Sequence, residues 1–170
     1  VEARLLTFDL KLGLAEAMAN VYRASGDRAV REEFLRIMGQ LSTSEDPYET
    51  FRRAVLGVEF SSIDRESEAL EQSLRVQSEI PSDLLQKIIS IDQLPIIERL
   101  GVELAFSSLM IFYNNLIARV SEKMLEGTLD LELEKRLVGV CQIADGALEQ
   151  FLPNNSDVLD SRATLALALG

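Results

Sequence analysis

The segment Leu100–Ala118 constrains this chain more than any other. Over 19 residues its only clearly polar side chains are Glu103, Ser107, Ser108, Asn114 and Asn115. A run of that length either crosses a bilayer or lies at the centre of a protein body. One charge and two amides are costly in hydrocarbon, so the segment reads as a buried central helix and not as a membrane span.

The rest of the chain repeats at the helical period, and no stretch alternates at period two. A first helix is expected over about Leu5–Ala24, with Leu10, Leu14, Met18 and Val21 facing inward, closed by Ser25-Gly26. Asp27 opens a second helix that buries Val30, Phe34, Ile37, Met38 and Leu41. Asp46, Pro47 and Glu49 form a strong start for a third, which turns Tyr48, Phe51, Val55 and Val58 inward. The pattern restarts near Ser61-Ser62. The helix Ile63–Glu79 carries a thin stripe of Ile63, Leu70 and Leu74 and should be mostly solvated. Pro81 ends it, and a short helix to Ile91 follows, opened by Ser82 or Asp83. Asp92 caps the longest helix, about 95–126, which Gly127 closes. Thr128 or Asp130 opens a helix to Leu152, and Ser156 or Asp157 opens the last one, to Leu169. The expected fold class is therefore all-α: a single bundle of about eight helices over residues 1–170. A long apolar helix lies at its centre, and the short connection after it makes an antiparallel hairpin in the C-terminal half. Gly101, Ala105 and Ser108 share one face of the central helix. They read as close core packing, with a homodimer seam as the alternative.

Charge and composition exclude more chemistry than they suggest. The 170 residues hold 17 basic and 28 acidic side chains, a net charge of −11, with no His and one Cys. An acidic surface repels phosphate backbones, so nucleic acid is not an expected partner. Without His there is no imidazole general base, no Ser-His or Cys-His pair and no histidine ligand for zinc, iron or haem. No Gly-rich phosphate loop or EF-hand loop occurs. The expectation is accordingly no enzyme, no cofactor and no metal. The chain begins at Val1 and is read as a domain excised from a larger protein. A lone cysteine and the lack of a basic leader point to a cytoplasmic setting.

Several residues merit attention. Asp64, Glu66, Glu68 and Glu71 form an acidic run that reads as a solvated face. Glu66, Glu68 and Glu71 are the candidate contacts to a basic protein partner. Leu104, Ser108, Ile111, Phe112 and Asn115 would line a cavity if an apolar ligand sat between helices. Asn114 and Asn115 must find hydrogen-bond partners in apolar surroundings, and Glu103 has Arg99 one turn before it. Cys141 lies on an apolar stripe and reads as a small hydrophobe. Arg52-Arg53 is the densest basic pair. It reads as solvated helix surface, although arginine also suits a phosphate or carboxylate. The leading expectation is a non-catalytic helical protein–protein interaction domain of a regulatory or adaptor protein. Its alternatives are a sensing domain for an apolar small molecule and an acidic helical chaperone.

Overall fold

The computed structural model describes residues 2–170, apart from the side chain of Glu2. The described residues form eight α-helices and no strand: α1 (Glu2–Ser25), α2 (Arg28–Leu41), α3 (Pro47–Asp64), α4 (Glu66–Glu79), α5 (Leu84–Ile89), α6 (Ile96–Glu126), α7 (Leu131–Phe151) and α8 (Ser156–Leu169). A 3-10 turn at Ile91–Gln93 separates α5 from α6. The all-α bundle, its long apolar helix and its C-terminal hairpin are as the sequence implies.

Local chemistry sets many of the boundaries. Gly26 and Gly127 both adopt φ +66°, the left-handed conformation that ends a helix with little steric cost to glycine. Asp27 accepts from the Ala29 amide, Asp46 from the amides of Tyr48 and Glu49, and Asp130 from those of Glu132 and Leu133. Two expected caps are displaced. Asn155, one residue before Ser156, accepts from the Val158 amide and caps α8. Asp92 falls in the 3-10 turn, and α6 starts after Pro95 without a side-chain cap.

The helices enclose two cores that share one wall. The larger one gathers Phe51, Val55 and Val58 of α3 with residues of α4, α6, α7 and α8, including Leu70, Leu109, Phe112, Leu137, Leu148 and Leu165. The smaller one gathers Phe8, Leu12, Ala15 and Ala19 of α1, Phe34 and Ile37 of α2, and Leu56 and Phe60 from the other side of α3. Phe34 stacks on Phe60 with ring centroids 3.8 Å apart. Helix α6 has the length and hydropathy to cross a bilayer. In the bundle it is packed by α3, α5, α7 and α8, and it buries ten residues between Val102 and Ser121.

Three sequence expectations are corrected. In α1 the inward face is Leu5, Phe8, Leu12, Ala15 and Ala19, while Leu10, Leu14 and Val21 are 74, 48 and 52% exposed. The buried series seats Phe8 and Leu12 against α2 and α3, and Leu10, Leu14 and Val21 lie on the opposite side of the helix. The third helix runs through Ser61-Ser62 and breaks at Arg65, whose φ of −140° and ψ of 66° are not helical. Ile63 therefore belongs to α3 and packs against the smaller core. Helix α4 is not a thinly attached strut: Ala69, Leu70, Ser73 and Val76 are buried along it. Small side chains at Ala69 and Ser73 allow a close approach that a count of large hydrophobic residues misses.

Candidate functional site

The N-terminal turns of α1, α3 and α6 meet around a cavity of about 430 Å³. Helix α1 contributes Arg4 and Leu5, α3 contributes Tyr48, Glu49 and Arg52, and the α6 end contributes Pro95, Ile97, Glu98 and Gly101. Its volume lies within the ~300–1,000 Å³ range of small-molecule sites. The position follows from local structure. Asp46 and Pro47 fix where α3 starts, which puts Glu49 and Arg52 one turn apart on the same side of that helix. Pro95 fixes the entry into α6, and Gly101 supplies a wall without a side chain. A Cβ placed there would meet no atom within 4 Å.

Most of the charge around the cavity is matched. Arg4 lies 3.4 Å from Asp46, and Glu98 accepts from Lys87 at 2.9 Å. Lys87 also lies 3.1 Å from Asp83 and 5.2 Å from the centre of the Tyr48 ring, and the Tyr48 hydroxyl donates to Asp83 at 2.8 Å. The Tyr48 oxygen, then Glu98 and Asp83, hold the Lys87 ammonium well above the usual lysine range. Burial raises the Tyr48 phenol.

Glu49 and Arg52 differ from these groups. Arg52, read from sequence as solvated surface, is only 7% exposed. The guanidinium pairs with Asp9 through Nη2 and lies 5.7 Å from the centre of the Phe8 ring. Its Nε and Nη1 are buried without a hydrogen-bond partner among the described residues. Glu49 is 3% exposed; Oε2 accepts from Ser44, and Oε1 has no partner among the described residues. A buried polar group left in that state costs about 1–3 kcal/mol. Glu49 also forms the wall toward a second depression, of about 530 Å³, bounded by Lys11, Thr43 and Ser44. The sequence places Glu49 and Arg52 on one side of a helix. It does not disclose that α1 covers them, because Asp9 and Arg52 are 43 residues apart.

The acidic run is dispersed among partners of its own. Glu66 is 3.2 Å from Lys123. Glu68 accepts from Arg65 and Gln72. Glu71 borders a separate depression with Arg75 and Arg136. Of the five residues expected to line a cavity, Phe112 is 1% exposed in the larger core and Ile111 is 52% exposed at the surface. Leu104 and Ser108 are half-buried. Asn115 donates to Glu59 at 3.1 Å, and Arg119 pairs with the same carboxylate at 2.6 Å. These five divide between core and surface, and the cavity beside α6 opens instead at its first turns. Ala105 is wholly buried, so the Gly101–Ala105–Ser108 face is spent in large part on packing within the chain. Glu103 is exposed, and Arg99 turns to Asp92. Cys141 is fully buried, and burial pushes its thiol up to about 12.

The outer side of α1 is a second notable surface. Ala3, Thr7, Leu10, Leu14, Ala17, Val21 and Ala24 follow one another at alternating steps of four and three, and all are exposed. That is the spacing of a coiled-coil seam. No family model, curated protein or solved structure matches the chain.

Proposed function

We propose that the chain is a non-catalytic helical interaction domain, and that it receives an amphipathic helix of another polypeptide along the outer face of α1. The seam at Leu10, Leu14, Ala17 and Val21 carries this reading. Helix α1 is apolar on two opposite faces, and only one of them is covered by α2 and α3. A helix apolar on both sides normally has neighbours on both sides. The small residues Gly13, Ala17 and Ala24 leave room for a second helix to lie close. Exposed Leu6 widens the same face toward Ile96 and Leu100 at the start of α6. Uncovered apolar helix faces of this kind are recognised by helices that present apolar residues at matching spacing.

Fluorescence anisotropy with a labelled synthetic helix, bearing leucines at alternating four- and three-residue steps, tests this reading. The intact chain should bind it, and the Leu10→Lys/Leu14→Lys variant should bind at least ten-fold more weakly. Both positions are exposed, so the variant should keep its melting temperature within a few degrees. Equal binding by the two proteins would overturn the proposal. A native mass spectrum that shows a dimer lost in the variant would instead identify a second copy of the chain as the occupant.

A further inference from the structure

We propose that the cavity between α1, α3 and α6 binds a small zwitterion with an apolar side chain, the class that includes the free apolar amino acids. Two nine-tenths-buried side chains carry the argument. Arg52 retains donors at Nε and Nη1, and Glu49 retains an acceptor at Oε1, with no partner for any of them among the described residues. Both line the same cavity from adjacent turns of α3. They are not joined to each other: Arg52 pairs with Asp9, and Glu49 accepts from Ser44.

A ligand carboxylate meets the guanidinium, and a ligand ammonium meets the carboxyl oxygen. A ligand bearing only one of these groups would leave either the free donors of Arg52 or the free acceptor of Glu49 buried and unmatched, which is the costly arrangement. Arg4 and Glu98 do not alter this count, since both are well exposed and already paired, with Asp46 and Lys87. The remaining wall is formed mainly by Leu5, Pro95, Ile97 and Tyr48, so the rest of the ligand is apolar. Gly101 leaves the space for it, because an added Cβ would touch nothing. This site is separate from the outer seam of α1: Leu5 faces the cavity, whereas Leu10 and Leu14 face solvent.

The test is isothermal titration calorimetry of the purified chain with leucine, isoleucine and methionine. Leucinamide, N-acetyl-leucine and decanoate serve as singly charged controls. Saturable binding of at least one amino acid is expected, with every control at least ten-fold weaker. Gly101→Leu should reduce that binding at least ten-fold while circular dichroism stays unchanged. Glu49→Gln and Arg52→Lys should each weaken it, and Gly101→Leu keeps the test decisive should either of them misfold. Absence of binding by all three amino acids would overturn the proposal. Equal affinity for a singly charged control would overturn the zwitterion class, and unchanged binding by Gly101→Leu would overturn the location.

Discussion

At the scale of single residues, burial decides what each polar group can do. Arg52 and Glu49 stand in a stretch of mixed charge that resembles any solvated helix surface. Their burial depends on α1, far away in sequence, and nothing near residue 52 announces it. Cys141 is the opposite case, because its place on the stripe Leu137, Cys141, Ala144 and Leu148 already marks it as core, and it is fully buried. Its chemistry has a measurable consequence. Burial favours the neutral thiol, so its folded value of about 12 lies above the ordinary 9.0. Unfolding therefore releases this proton more readily as pH rises. The stability owed to the thiol is complete below about pH 9 and is lost progressively toward pH 12, by at most about 1.4 kcal/mol per pH unit. Urea unfolding at pH 8 and pH 10 should show a larger loss in the intact chain than in Cys141→Ala. Tyr113, whose phenol is also raised by burial, contributes the same loss to both proteins. Equal losses would mean that the thiol is not the source of the difference.

At the scale of elements, the boundaries were more legible than the faces. Asp27, Asp46, Asp130, Gly26 and Gly127 act within a few residues of themselves, so a linear reading finds them. Gly127→Ala should cost about 1 kcal/mol, because φ of +66° opposes a Cβ. Gly139→Ala, in the interior of α7 with nothing within 4 Å of the new methyl, should instead gain up to about 1 kcal/mol from helix propensity. Thermal melts of the two variants should shift in opposite directions. Faces were harder to read because packing rewards fit as well as hydrophobicity. Helix α1 offers two apolar series, and the bundle buries the one that carries Phe8 and Leu12. Helix α4 shows few large apolar residues, yet Ala69 and Ser73 let it lie close to its neighbours. Neither choice can be made from one helix alone, since it depends on the shape of the surface that the helix meets.

At the scale of the whole molecule, α3 carries both cores on opposite sides. Phe51, Val55 and Val58 enter one, and Leu56 and Phe60 enter the other. Ties between α1 and α3 reinforce the smaller side, where Tyr22 donates to Asp64 at 2.6 Å and Arg52 pairs with Asp9. The central place of α6 was legible because its apolar surface covers most of its circumference. The double duty of α3 was not, since its outward charges hide the second apolar face. Phe60→Ala, which removes the ring stacked on Phe34, should cost about 3–5 kcal/mol. It should lower one transition for the entire fold and should not release α1 and α2 early. Far-ultraviolet dichroism and amide hydrogen exchange in α6 should report the same urea midpoint; separate midpoints would show that the cores melt independently. A shared wall also governs dissection. Cutting before residue 47 strips the cover from Leu56 and Phe60, and cutting after residue 64 strips it from Phe51 and Val58. Neither pair of complementary pieces could keep both sides of α3 covered, so each should regain its structure only when mixed with the other.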